Sequence, residues 1–171
     1  GQHVKTSLLA SLVSLLSVQG QRYLSVGEIP QPTGNVHPVI APYGTFETVD
    51  GPLNIAPATQ DMWIRLCKIL GLEELIDDPR FRINADRMQN RLELKQYIDK
   101  SLQQKTRMEW TAIMVEHGIP AGPINNLEDV FNDQQVLAND LVETVNHPII
   151  GELKQVASPM LFSDHLENTV K

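Results

Sequence analysis

A strong apolar stripe occupies the beginning of the chain. Its members recur at the spacing of an α-helix: Leu8, Leu9, Leu12, Val13, Leu15 and Leu16. This periodicity predicts an amphipathic helix that runs to about Val26. A stripe this broad requires a partner surface, and no other segment offers an obvious one. We therefore expect the helix to pack on protein outside these residues or on a second subunit.

A proline- and glycine-rich stretch, residues 27–42, separates this helix from the next regular pattern. It contains Pro30, Pro32, Gly34, Pro38 and Pro42. Such residues predict a long loop rather than a helix or strand. Loops of this length within compact proteins are often functional, so the stretch is a candidate for site residues.

Alternating apolar and polar residues then predict a β-hairpin. Its strands are Tyr43–Val49 and Leu53–Ala56, joined through Asp50-Gly51, a strong turn signal. A helix capped by Thr59 follows and ends just before Gly71.

Local capping signals predict the helices of the second half. Asn84 fits the N-cap of a long helix that reaches to about Gln104. The segment Thr106–Glu109 fits a capping box, which begins a helix that ends at Gly118. Two shorter helical stretches begin at Asn126 and Asp133.

A second hairpin is predicted from Leu141–Val145 and Leu153–Val156. The order of elements is then hairpin, helices, hairpin. This order predicts a small antiparallel sheet with several helices on one face, an α+β fold preceded by the long first helix.

Composition narrows the choice of partners. The 171 residues are 42% hydrophobic, enough to bury a sizeable core, and carry a formal net charge of -7. That charge disfavours nucleic acid and anionic membranes as partners. The longest apolar run, Ser7–Val18, is too short to span a bilayer. Because the chain is acidic overall, an anionic ligand needs a local basic patch.

One basic cluster is present in this acidic chain. It consists of Arg80, Arg82, Arg87 and Arg91. Guanidinium groups match phosphate geometry, so the cluster is a candidate phosphate site. The alternative is ion pairing with the nearby carboxylates of Asp77, Asp78 and Asp86.

Few local patterns specify a reaction. The chain lacks glycine-rich phosphate loops and the nucleophile elbow of hydrolases. No histidine lies three to five residues from another histidine or from Cys67, so the sequence supports no metal site. Cys67 is the single cysteine, which fits a reducing compartment. It lies on the apolar side of a predicted helix, which favours a buried, unreactive thiol.

The loop contains the most suggestive polar residues, Gly34-Asn35-Val36-His37-Pro38. Glycine permits close backbone approach, and Asn35 and His37 offer hydrogen bonds. A loop of this kind is suited to close over a reacting thioester and donate to its oxyanion. The alternative is an ordinary linker with a structural asparagine.

These residues belong to a series of short motifs that resembles the family III CoA-transferases, which include formyl-CoA transferase, carnitine CoA-transferase and alpha-methylacyl-CoA racemase. The first motifs are Gly34-Asn35-x-His37-Pro38, Pro42-Tyr43-Gly44-x-Phe46-x-Thr48-x-Asp50-Gly51 and Asp78-Pro79-Arg80-Phe81. The later ones are Asn90-Arg91, Glu109-Trp110, Gly118-Ile119-Pro120-Ala121-Gly122-Pro123, His147-Pro148, Gly151 and Ser158-Pro159. Each motif is short, but in this order and spacing they cover nearly the whole chain.

The resemblance implies a domain arrangement. Family members have a large Rossmann-like domain and a smaller α+β domain, and two subunits interlock like chain links. Residues 1–42 then correspond to a linker helix and the proline-rich loop, residues 43–160 to the small domain, and residues 161–171 to the start of a return linker. The Rossmann-like domain is expected in a part of the protein that this chain lacks.

The resemblance also implies an activity, the exchange of coenzyme A between an acyl-CoA and a carboxylate acceptor. In the family, an aspartate attacks the thioester and forms a mixed anhydride. That aspartate is expected in the absent N-terminal part, so no residue here is predicted to be catalytic and the chain alone is expected to be inactive. The residues expected to bind substrate are Gly34, Asn35, His37 and Tyr43.

Further expectations concern ligands and partners. Acyl-CoA acts as a substrate, and no cofactor is bound permanently. The expected protein partner is a second copy of the full-length chain, in the cytoplasm or the mitochondrial matrix. Two alternatives stay open: part of an acyl-CoA racemase, which moves an α-proton with a His/Asp pair, and a non-catalytic binding or structural module.

Overall fold

A computed structural model describes residue 1 and residues 3–159 of the chain. Its helices are α1 (Leu8–Leu15), α2 (Ser17–Val26), α3 (Gln60–Leu70), α4 (Asn84–Gln89), α5 (Arg91–Leu102), α6 (Arg107–Glu116), α7 (Leu127–Phe131) and α8 (Gln134–Ala138), with a 3₁₀ turn at Glu73–Leu75. Its strands are β1 (Gly44–Glu47), β2 (Pro52–Ile55), β3 (Ala121–Pro123), β4 (Val142–His147) and β5 (Gly151–Val156). The predicted α+β class is confirmed. The predicted return linker at residues 161–171 lies outside the described residues, and the domain boundaries stay predictions.

The strands form two separate antiparallel sheets. Strand β2 is central in a three-stranded sheet of order β1-β2-β3, in which Leu53 pairs with Phe46 on one side and with Pro123 on the other. Strands β4 and β5 form a second, two-stranded sheet. Both predicted hairpins are confirmed. Strand β3 was not predicted, because a three-residue segment with glycine and proline has low strand propensity.

The hydrophobic core lies between the three-stranded sheet and helices α3, α5 and α6. Its buried members include Phe46, Leu53, Ile55, Trp63, Leu66, Leu94, Ile98, Leu102, Trp110 and Met114. Thr59 caps α3 and Gly71 ends it, as predicted. Thr106 and Glu109 form the predicted capping box of α6. These local signals therefore define the frame that carries the sheet.

Both helices that were predicted to be long are broken in the structure. Leu16 separates α1 from α2, and Asn90 separates α4 from α5. The prediction that Asn84 caps the second helix is wrong, because Ile83 occupies the N-cap position. The Asn84 side chain instead bonds to the backbone of residues 39 and 41, so a tertiary contact overrides the local capping signal.

The apolar stripe of α1 is uncovered within the described residues. Leu8 and Leu15 are 87% and 78% exposed, and no residue of α1 or α2 is buried. Packing of this stripe on protein outside the chain, or on a second subunit, stays a prediction. None of the described helices combines the length and the apolar character that crossing a bilayer requires.

Cys67 is expected to resist thiol reagents in the folded protein. Its side chain is fully buried on the core face of α3, as predicted, and burial raises the pKa of the thiol to about 12. Because the thiolate is the reactive form, labelling with iodoacetamide at about pH 8 should be at least about a hundredfold slower than in guanidinium-unfolded protein. Equal labelling rates in the two states would contradict the buried position.

Candidate functional site

The second half of the proline-rich loop is joined to the three-stranded sheet. Val36 makes an antiparallel β-bridge with Gly44, the first residue of β1. The N–H of His37 donates to the carbonyl oxygen of Tyr43 at 2.9 Å. These two contacts hold residues 36–37 beside residues 43–44, so the side chains of His37 and Tyr43 lie next to each other.

Helix α4 anchors the same loop from the other direction. The N–H of Ala41 donates to Oδ1 of Asn84 at 3.0 Å, and Nδ2 of Asn84 donates to the Val39 carbonyl at 2.9 Å. One amide side chain thus satisfies two backbone groups of the loop, which have no partners in regular secondary structure.

Arg87, also on α4, completes the anchor although it is 3% exposed. Its Nε donates to the Ala41 carbonyl at 2.6 Å, and Nη1 donates to the Phe81 carbonyl at 3.0 Å and to the Gln60 side-chain oxygen at 3.1 Å. The guanidinium carbon lies 5.0 Å from the centre of the Trp63 ring. Burial lowers the pKa of Arg87. The cation is therefore held by neutral oxygens and an aromatic face, and it ties the loop to the core.

His37 presents a hydrogen-bond donor from this anchored loop. Its Nδ1 accepts the N–H of Val39 at 3.2 Å, so the neutral ring carries its proton on Nε2. The ring stacks on Tyr43, with centroids 4.8 Å apart and planes inclined by 26°. The stack and the turn restrict the rotation of the ring, so the direction of the Nε2–H bond is defined.

A pocket of about 230 Å³ lies between the loop and helix α5. Its lining comprises Thr33, Val36, His37, Ile40, Ala41, Pro42, Tyr43, Thr45, Phe46, Arg91, Leu92, Leu94 and Lys95. Most of this lining is apolar, and the polar groups are few: the two rings of the stack, two threonines and two cations. Such an arrangement is typical of small-molecule sites.

A more open groove also borders the His37–Tyr43 stack. It is lined by Asn35 and by Asn54, which stands in the middle of the central strand β2. Asn54 pairs across the sheet with Thr45 and Gly122, on the face away from the core. It is exposed, and within the described residues its side chain makes no hydrogen bond. Asparagine is uncommon in strands, and this is the one signal by which sequence analysis would have found it.

Three of the four residues that were predicted to bind substrate thus lie together. Asn35, His37 and Tyr43 line the groove, and His37 and Tyr43 also line the pocket. Gly34 precedes them in a left-handed turn with φ 65°, which glycine adopts freely, but lines neither surface. That these residues bind substrate stays a prediction.

The four clustered arginines do not form one phosphate site. Arg80 pairs with Asp78 at 2.6 Å and also with Glu93, so the alternative of ion pairing holds for it, and Arg87 is buried. Of the four arginines, only Arg91 lines the pocket. Among the described residues, no group of three or more potential ligand side chains is placed to hold a metal ion.

Comparison with known proteins gives a consistent result. The profile described as CoA-transferase family III matches residues 1–169. Over 153 residues the chain is 39% identical to succinyl-CoA:glutarate CoA-transferase of Mus musculus, covering 90% of this chain and 35% of that protein. It is 36% identical over 141 residues to succinate–glutarate CoA-transferase of Agrobacterium fabrum, covering 82% of this chain and 35% of that protein.

A solved structure shares the fold. The crystal structure of a CAIB/BAIF family protein from Brucella suis superposes with a TM-score of 0.79 and 35% identity, over 96% of this chain and 42% of that one. The chain therefore spans a little over a third of the length of these relatives.

Proposed function

This chain belongs to CoA-transferase family III, and we propose that it forms the substrate-covering part of an acyl-CoA:carboxylate CoA-transferase. The observation that carries the proposal is the anchored loop, which holds the His37–Tyr43 stack at the edge of a small, mainly apolar pocket. We prefer CoA transfer to the racemase alternative because the similar proteins described above are named as CoA-transferases.

In this proposal the residues of the chain bind and orient substrate. The Nε2–H of His37 donates to the carbonyl oxygen of the reacting acyl group, where negative charge develops during acyl transfer. The apolar lining excludes water, which would otherwise hydrolyse an activated acyl group. The nucleophile comes from a part of the protein outside this chain, so residues 1–171 alone catalyse no transfer.

The uncovered stripe of α1 supports a second element of the proposal. Leu8, Leu12 and Leu15 expose an apolar face that water solvates poorly. We propose that this face is covered in the native protein by the remaining part of the enzyme or by the second subunit of a homodimer.

The proposed substrates are an acyl-CoA and a carboxylate, with no permanently bound cofactor.

Replacing His37 with alanine in the native protein is expected to lower kcat/KM of CoA transfer by about a hundredfold, the usual effect of removing one donor to a developing oxyanion. His147→Ala is a matched control. His147 also precedes a proline, and its Nδ1 likewise accepts the N–H two residues on, from Ile149 at 3.2 Å, but it is the last residue of β4, in the second sheet. Steady-state kinetics with an acyl-CoA and a carboxylate measures both variants.

The comparison distinguishes a residue that binds substrate from one that only bonds to the backbone of a turn. Loss of kcat/KM in H37A with normal folding, and little change in H147A, supports the proposal. An H37A protein with wild-type kcat/KM would remove His37 from the site. Measurable transfer by residues 1–171 alone would contradict the expected location of the nucleophile.

A further inference from the structure

Helix α5 contributes two cationic side chains to the pocket that contains the His37–Tyr43 stack. Arg91 and Lys95 are four residues apart, so they lie on one face of the helix. The chain has a net charge of -7, so two neighbouring cations beside a mainly apolar pocket form a local positive region in an acidic protein. They favour a ligand that carries negative charge.

The two cations differ in the partners that they already have. Nζ of Lys95 lies 2.5 Å from a carboxylate oxygen of Asp99 and 5.2 Å from the centre of the Phe46 ring, so its charge is balanced within the chain. Arg91 is exposed, and no carboxylate in the described range pairs with it. Ion pairs are formed instead by Arg22, Arg65, Arg80 and Arg107. The guanidinium of Arg91 therefore has donors available for a ligand carboxylate, which it can bind through two parallel hydrogen bonds.

The rest of the lining limits the size and character of that ligand. The apolar lining includes Val36, Ile40 and Pro42 of the loop and Leu92 of α5. The pocket volume of about 230 Å³ is below the ~300–1,000 Å³ of pockets that hold drug-sized molecules. A ligand that satisfies both the apolar lining and Arg91 is a short carbon chain with a terminal carboxylate.

We infer that Arg91 binds the second carboxylate of a dicarboxylic substrate and thereby determines which acids the enzyme accepts. The inference rests on the proposed function, which places the reacting carboxyl or thioester end at the Nε2–H of His37. The short carbon chain then lies against the apolar lining, and the far carboxylate meets the guanidinium of Arg91. A monocarboxylic acid of the same length leaves Arg91 without a partner.

The test measures acceptor preference in the native protein. With succinyl-CoA as donor, kcat/KM is determined for glutarate and for pentanoate, which has the same number of carbons and one carboxylate. In a ping-pong scheme this constant reports only the half-reaction that consumes the acceptor. Arg91→Gln is expected to lower kcat/KM for glutarate about 10–100-fold, the effect of one lost charged hydrogen-bond pair, and for pentanoate less than about threefold.

Two further variants complete the experiment. Arg91→Lys keeps the charge but not the two-pronged geometry, and should recover part of the glutarate activity. Arg82→Gln removes an exposed arginine that does not line the pocket, and it should leave kcat/KM unchanged for both acceptors.

Each result is decisive. Equal losses for glutarate and pentanoate in R91Q, no loss for either, or wild-type protein without preference for glutarate would overturn the inference and leave the proposed function standing. Wild-type protein that transfers coenzyme A to no carboxylate would overturn the proposed function, and the inference with it.

Discussion

Replacement of Arg87 by methionine is expected to lower the free energy of unfolding by about 3–4 kcal/mol, because buried carbonyl oxygens lose their hydrogen-bond donor. Methionine keeps the length and the apolar part of the side chain, so the loss comes from the guanidinium. For a domain of this size the melting temperature should fall by roughly 10 °C.

The magnitude follows from what the guanidinium leaves behind. The carbonyl oxygens of Ala41 and Phe81 are bonded to Arg87 at 2.6 and 3.0 Å, and both bonds lie in the interior. Without Arg87 these oxygens lose their donors but stay away from water, and each such loss costs about 1–3 kcal/mol. The loop also loses one of its links to the core, so the proposed transfer activity of the native protein should fall together with stability.

Two companion variants separate geometry from charge. Arg87→Lys keeps the charge, but a single ammonium group cannot reproduce the directions of Nε and Nη1, so it should be nearly as unstable as Arg87→Met. Arg82→Met removes an exposed arginine five residues away and should shift stability by less than about 0.5 kcal/mol. A loss below about 1 kcal/mol in R87M would contradict the role of Arg87 as an anchor.

The features of the fold that could be predicted are those whose signal is local. An N-cap hydrogen bond joins residues only three apart, which is why the starts of α3, α6 and α7 were found at Thr59, Thr106 and Asn126. Hairpins join neighbouring strands, so alternation and an intervening turn signal located both of them.

The features that were missed depend on contacts between distant segments. The sequence patterns indicated Asn84 as a helix cap and Arg87 as part of a basic cluster. The loop backbone that both side chains hold lies more than forty residues earlier in the chain. Strand β3 exists only because Ala121–Pro123 lies beside β2. No pattern within a window of ten residues contains this information.

The candidate site shows the same division. Loop chemistry singled out Asn35 and His37, the family resemblance added Tyr43, and the structure brings the three together. The sequence patterns did not indicate Asn54 or the contribution of α5 to the pocket. Asn54 and the α5 residues join the site only through the packing of the sheet and the helix. The spacing of Arg91 and Lys95 was visible in the sequence, but their common pocket was not.

Replacement of Gly44 by alanine is expected to displace the loop and to lower kcat/KM of the proposed CoA transfer by the native protein at least about tenfold. A Cβ atom at Gly44 would lie 2.4 Å from the backbone oxygen of Asn35 and 3.1 Å from Cα of Val36. Backbone atoms cannot rotate away as a side chain does, so the loop must move. That movement breaks the Val36–Gly44 bridge and shifts His37 relative to Tyr43.

Gly51→Ala provides the matched control, because the two glycines have similar φ angles but different neighbours. Their φ angles are 150° at Gly44 and 145° at Gly51, so alanine adds similar backbone strain at both, about 1–3 kcal/mol. At Gly51 the new Cβ meets only the Arg107 side chain, at 3.9 Å. Both variants should therefore lose stability in denaturant unfolding, whereas only G44A should lose activity at a temperature where both are folded. If G51A loses as much activity as G44A, backbone strain in the hairpin is the cause, and the close packing of the loop on Gly44 does not control the site.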